Sequence, residues 1–491
     1  MNATILLITF FAYTALLFVI AWATSRKSDN QSFFTGNRKS NWFLVAYGMI
    51  GASLSGVSFM SVPGNVYNEN FYYLPMLLGF IAGYGVIAFV LLPLYFKMNL
   101  TSIYTYLDKR FGNSSYKTGA SFFILSRLLG ATVRTFLVVY VLYNFVFQNM
   151  GIPFSIVAIV FVAIAILYTM RGGVKTIVWT DTMQTTFMIV AIVAAVVFIC
   201  NELNWSFGEM ISSVFNDKHS DVFDTNWTSS RNWIKQFISG AIVPIAMTGL
   251  DQAMMQKSLS CKNIGEAKKN VITSVAMMIP VNVLFLTLGA ILAIYVGQNP
   301  ELLNLIGTNA EGSVEADKIF PVVAFSLKAI VGIFFFIGLI SAAYPTCANA
   351  LTSLTTSSCI DIINMEKRDW DEKTKKLVRM IVMFLLATLF VLLILIFNDM
   401  KGDAVINMVY QIAAYTYGPL LGLFMFGIIT KVKAFDRAVP FICITVPILC
   451  FVIEKYVFHF GFSLILVCAA LTFAGILIFS KTTFDLLKKK H

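Results

Sequence analysis

The residues Gly48-Met49-Ile50-Gly51-Ala52-Ser53-Leu54-Ser55-Gly56-Val57-Ser58-Phe59-Met60-Ser61-Val62-Pro63-Gly64 lie in an apolar run that reaches Tyr67. Glycine recurs at Gly48, Gly51, Gly56 and Gly64, serine at Ser53, Ser55, Ser58 and Ser61, and Pro63 sits near the end. That composition weakens a continuous helix and leaves backbone carbonyls without intrahelical partners. Irregular backbone at membrane depth is tolerated only where it is buried in protein or lines a wet cavity, because lipid offers no hydrogen bonds. A span interrupted by Gly and Pro therefore points to a transporter's binding site. Residues 48–67 read as a broken helix that coordinates a ligand; the plainer alternative is a small-residue face for helix packing.

The rest of the chain fits a membrane setting. Across 491 residues, 58% are hydrophobic and only 12% charged, with mean hydropathy +0.79, which excludes an ordinary soluble enzyme and implies an all-α integral membrane protein. The net charge of +11 resides in short loops, with no basic and aromatic stripe on a soluble domain, so it orients the protein and implies no nucleic acid. The seven cysteines contain no CxxC pair and read as buried small hydrophobes. The three histidines, His219, His459 and His491, fall in loops or at the end. No histidine metal site, catalytic triad or proton relay is expected in the core, and nothing else supports an enzyme.

Thirteen apolar spans are expected, at 3–24, 45–67, 72–96, 118–147, 152–169, 177–200, 232–255, 271–297, 318–358, 377–397, 405–430, 438–457 and 462–480. The first has no positive charge before it and Arg26 and Lys27 after it, the reverse of a signal peptide. Alternate loops hold 27 of the 36 lysines and arginines, among them Lys175, Lys257 and the tail that ends Lys488-Lys489-Lys490, a run expected to touch anionic lipid. Four more, Arg127, Arg134, Lys235 and Lys328, fall inside spans. By the positive-inside rule this asymmetry predicts an external N-terminus, a cytoplasmic C-terminus and an acidic external loop at 201–231.

The spans also repeat. Five run from residue 45 to 200 and five more from 232 to 430, in opposite orientation because five is odd. The first span of the second set, Trp233 to Gln252, is interrupted by Gly240, Pro244 and Gly249, so two broken helices hold corresponding positions and a site is expected between them at the midplane. The expected division is a leader helix and cytoplasmic loop (1–44), a first repeat (45–200), an external loop (201–231), a second repeat (232–430), and two further helices with a basic tail (431–491).

Five motifs now resemble the sodium:solute symporter family. They are Thr35-Gly36-Asn37-Arg38; Thr101-Ser102-Ile103-Tyr104-Thr105-Tyr106-Leu107-Asp108-Lys109-Arg110-Phe111-Gly112; Gly172-Gly173 with Val178-Trp179-Thr180-Asp181-Thr182-Met183-Gln184; Gly249-Leu250-Asp251-Gln252 with Gln256-Lys257; and Tyr415-Thr416-Tyr417-Gly418-Pro419-Leu420-Leu421-Gly422. Each alone is weak; their order along nearly the whole chain is specific. The resemblance implies the LeuT-type fold of two inverted five-helix repeats.

It further implies a sodium ion between the carbonyls of Gly51 and Leu54 on the first core helix and the carbonyl of Ala342 and hydroxyl of Thr346 on the eighth. Where the family usually has two adjacent serines this chain has Pro345 and Thr346, so one hydroxyl is missing. Asp181 with Asn349 matches a second cation site found in some members, although Ala348 contributes no oxygen there; the alternative is that Asp181 caps a helix or pairs with Lys175. The solute is expected against Ser55, Ser58 and Phe59, with Arg134 holding a carboxylate or acting as a gate; the alternative is that Arg134 is a structural partner to carbonyls or Asp181. Arg127 is expected to snorkel toward the cytoplasm, and Lys328 to sit about ten residues into the eighth core helix. Leu77 stands where the sialic-acid branch uses a glutamine, so an anionic small solute is expected without a name.

The function these residues imply is sodium-coupled uptake of a small, carboxylate-bearing organic solute by alternating access. Sodium is the co-transported ion, and a monomer in a plasma membrane of bacterial inner-membrane type is expected. Pro345 and Ala348 keep a proton-coupled or uncoupled transporter in view. A membrane sensor is the rival from another class; with some eleven residues after the last span, it would need a separate partner.

Overall fold

The computed structural model describes residues 3–25, 29–170, 172–308, 312–399, 405–456 and 463–480, without the side chains of 3, 149 and 405–410. Arg26, Lys27, Arg171, His459, the basic tail and His491 lie outside the described residues.

The described chain is helical, with only isolated bridges between extended residues. Among the described residues, nine helices are long and apolar enough to cross a membrane: α1 (Thr4–Ser25), α3 (Leu74–Lys97), α4 (Asn113–Phe147), α6 (Val174–Glu202), α8 (Ile264–Gln298), α9 (Ala329–Ile362), α10 (Glu372–Asp399), α11 (Gln411–Ile429) and α12 (Asp436–Tyr456). Two more spans are bent pairs. They are α2, made of Trp42–Ser53 and Gly56–Glu69 at 61°, and α7, made of Trp233–Gly249 and Gln252–Leu259 at 71°. The shorter apolar helices α5 (Phe154–Thr169) and α13 (Leu464–Ile478) complete the set. These elements fall one for one on the thirteen expected spans, and the two bent ones open the two sets of five.

One span divides differently. The run 318–358 is two helices, Ala316–Ser326 and α9, separated by Leu327 in extended conformation (φ −80°, ψ −169°). Lys328 is therefore not inside the eighth core helix. It is the residue before α9, and its exposed ammonium reaches Glu202 at 3.4 Å. A strongly hydrated ammonium is a natural place for an apolar run to leave the membrane.

The core helices pack as two groups. Helix α8 contacts α2, α3 and α7, and α7 contacts α2 and α3, while α4, α5, α9 and α10 contact one another. Close approach rests on small residues: a Cβ on Gly240 of α7 would lie 2.0 Å from the Met76 carbonyl oxygen of α3. Helix α6 bridges the groups, packing against both the first half of α2 and α9, while α11 is backed by α13.

Candidate ion and solute site

Helix α2 stops at Ser53 because Leu54 (φ −90°, ψ 97°) and Ser55 (φ −79°, ψ 171°) are extended. Ser55 then caps the second half, its Oγ accepting from the Ser58 amide at 3.5 Å. In a continuous helix that amide would close on the Leu54 carbonyl. Among the described residues no donor closes on the Gly51 carbonyl either. The break is held in place from α6, where Thr185 Oγ1 accepts from the Gly51 amide at 3.2 Å and donates to the Asp181 carbonyl at 2.7 Å.

Helix α9 passes the other side of the break. Ala343 Cβ lies 3.7 Å from where a Cβ on Gly56 would stand. Its neighbours Ala342 and Thr346 are both buried, and Thr346 Oγ1 donates to the Ala342 carbonyl at 3.4 Å. Pro345 supplies no hydroxyl, but without an amide hydrogen it also releases the Ser341 carbonyl from its helical bond. The break thus faces α9 with neutral oxygens, the ligand chemistry of a hard cation.

A cavity of about 980 Å³ lies alongside. Ser55, Ser58 and Ser61 of α2 line it, Arg127, Arg134, Met247 and Thr248 lie toward its base, and Asn68, Glu69, Tyr72, Ser230 and Arg231 surround its mouth. The mouth is tied by Arg231 to Glu69 (2.7 Å), by Asn68 Nδ2 donating to the Val314 carbonyl (2.8 Å) and by Ser61 Oγ donating to Asp317 (2.5 Å). Ser55, Ser58 and Arg134 thus share one cavity. Phe59 does not: it is fully buried among Phe285, Phe320 and Phe335, with ring centroids 5.3–6.1 Å away. At 3.6 residues per turn it points about 100° around the helix from Ser58, into the packing side. Leu77 is likewise fully buried, while its helix neighbours Met76 and Phe80 line the cavity.

The second break is built differently. In α7 the chain turns at Leu250 (φ −107°, ψ 11°), and Asp251 accepts from the Met254 amide at 3.2 Å. Tyr95 and Tyr104 donate to the Gly249 and Leu250 carbonyls at 3.0 and 2.7 Å. Asp251 Oδ2 also receives Tyr417 Oη at 2.5 Å and faces Arg127 at 3.5 Å. The protein's own side chains therefore satisfy this break, and the cavity is closed beneath it. Arg127 does not snorkel: it is buried in this pair, because a fixed carboxylate is nearer than any interface. Tyr104, Asp251 and Tyr417 stood in the quoted motifs as marks of resemblance, and their mutual contact was not readable from linear order.

Asp181 is fully buried, and its partner is Lys257, not Lys175: Nζ lies 2.5 Å from Asp181 Oδ2. Asn349 Nδ2 donates to the same oxygen at 3.3 Å. Lys257, counted among the loop cations by sequence, is buried in the second half of α7. Thr185 was missed; its only signal was its place one turn after Asp181.

A sodium/sialic acid symporter of Aliivibrio fischeri is 26% identical over 86% of this chain and 83% of its own length. One from Proteus mirabilis is 24% identical over 85% and 83%. The human sodium/iodide cotransporter is 24% identical over 83% of this chain and 62% of its own. Among solved structures, a substrate-bound, outward-open Na⁺-coupled sialic acid symporter superposes with a TM-score of 0.83 at 22% identity, covering 96% of this chain and 97% of that one. The model of the sodium:solute symporter family matches residues 33–434, so both bent helices, the open carbonyls and most of the cavity lining lie within the matched region, and the chain belongs to the sodium:solute symporter family.

Proposed function

We propose that this sodium-coupled symporter holds its sodium ion at the break in α2, on the carbonyls of Gly51, Leu54 and Ala342 and the hydroxyl of Thr346, and takes a carboxylate-bearing organic solute into the adjoining cavity. The observation that carries the reading is the contrast between the two breaks. The carbonyls at Gly249 and Leu250 are capped by tyrosines, whereas those at Gly51 and Leu54 lack a closing donor among the described residues, in a break that packs against α9. Arg134 lines the same cavity as Ser55 and Ser58, and its planar fork matches a carboxylate. The similarity to sialic acid symporters supports a solute of that class. On this reading residues 45–200 and 232–430 are the two inverted repeats, flanked by the leader helix, the loop at 201–231 and the last two helices.

The cavity mouth is formed by loops poor in Lys and Arg, and the opposite loops are rich in them, so the N-terminus lies outside, the C-terminus inside, and the cavity opens outward. Each chain carries its own complete site, which makes a monomer in a bacterial inner membrane the working unit.

Tryptophan fluorescence of the purified protein, titrated with sodium against potassium at constant ionic strength, tests the ion site. A sodium-specific change that Thr346→Ala abolishes is expected. No sodium-specific change would move the proton-coupled or uncoupled reading to first place. For the solute, N-acetylneuraminic acid is the probe in proteoliposomes carrying an inward sodium gradient. Arg134→Lys is expected to cut its uptake at least about tenfold, since a bidentate contact becomes a single one.

A further inference from the structure

We infer that the place a second cation would take at Asp181 is filled by the ammonium of Lys257, so that this symporter binds one sodium ion per chain. This rests on the sodium reading above.

The geometry points to it in three steps. Asp181 Oδ2, the carboxylate oxygen with partners, receives both the Lys257 ammonium at 2.5 Å and the Asn349 amide N–H at 3.3 Å. Asn349 therefore turns its donor to the carboxylate and its oxygen away. The residue before it on α9, Ala348, is buried and has no side-chain oxygen. A sodium ion placed at Oδ2 would meet an ammonium and an N–H rather than ligands.

The charge balance agrees. The second half of α7 carries Asp251 at its start and Lys257 near its end, and each is buried against an opposite charge, Arg127 of α4 and Asp181 of α6 respectively. These two pairs sum to zero and leave no net negative charge to attract another cation. A buried charge whose partner is removed is strongly destabilising. Withdrawing the ammonium leaves Asp181 uncompensated, and two buried acceptors, Asp181 Oδ1 and Asn349 Oδ1, already have no hydrogen-bond partner. Those are the oxygens a mobile cation would use once the tethered one is gone.

Equilibrium dialysis of the purified full chain with radioactive sodium, at constant ionic strength, counts the ions directly. Saturation at one ion per chain is expected in the wild type. Lys257→Met is expected to raise it to two, and the charge-neutral double variant Asp181→Asn with Lys257→Met to return it to one. Two ions in the wild type, with Lys257 in place, overturn the inference without using any variant, so poor folding of Lys257→Met does not shelter it. A count of one in folded Lys257→Met overturns it as well. Zero ions in the wild type instead removes the sodium reading on which it rests.

Discussion

At Gly51, two demands meet on one residue. Its carbonyl belongs to the open end of the first half of α2, while its amide is held by Thr185 of α6 at 3.2 Å. A Cβ here would lie 2.3 Å from Thr185 Oγ1, so the small-residue packing face and the broken helix, set against each other as alternatives from sequence, are both true of the same residues. Gly51→Ala is expected to destabilise the protein by about 1–3 kcal/mol through overpacking and to weaken the sodium response. Removing the obstructing hydroxyl in Gly51→Ala with Thr185→Ala should recover much of the thermal stability but little of the sodium response, because the anchor of the break is then gone. Equal recovery of both would show that Thr185 only occupies space. The same reasoning separates Phe59 from Ser58: adjacent in sequence, one packs under three aromatic rings and the other faces the cavity.

Among elements, the two bent helices were legible because composition reports backbone weakness directly. Where each one breaks was less so. The turn in α2 falls at Leu54 and Ser55, not at a glycine, and in α7 it falls at Leu250, after the π-turn Ile245–Gly249. Hydropathy also ran through Lys328 and merged α9 with the helix Ala316–Ser326, since a lone cation in an apolar run has the same local signature whether it caps or snorkels. Side-chain pairing was the least legible level. Asp181 met Lys257 across 76 positions, and nothing in local pattern distinguishes that lysine from its loop neighbours. The helix Ala316–Ser326 is itself tied to α2: a Cβ on Gly64 would lie 1.9 Å from the Ala316 carbonyl oxygen, and Ser61 bonds Asp317. Backbone cannot yield as a side-chain tip can. Gly64→Ala is therefore expected to push this helix off the cavity mouth and raise hydrogen exchange across residues 316–326, whereas Gly85→Ala, where a Cβ meets nothing within 4 Å, should leave exchange there unchanged.

For the whole molecule, transport requires the group of α2, α3, α7 and α8 to move against that of α4, α5, α9 and α10. At the closed end the groups are joined by Asp251 of α7 with Arg127 of α4, supported by Tyr417 of α11, and by Gln256 of α7 donating to Thr356 of α9. Opening to that side must separate the pair, and a ligand can shift the balance only through its different affinity for the two states. Sodium bound at the α2 break should favour the arrangement described here and hold the pair closed. All seven cysteines are buried, and Cys261, fully buried, lies just beyond the second half of α7. A variant that keeps Cys261 alone then reports opening by its rate of reaction with a water-soluble maleimide. Sodium is expected to slow that reaction in the parent. Tyr417→Phe, which removes one hydrogen bond to Asp251 while leaving the ring in place, is expected to speed it several-fold, and Arg127→Gln to speed it more, since the carboxylate then loses its ionic partner. An unchanged rate in both variants, with sodium still protective, would place the gate elsewhere than at Asp251.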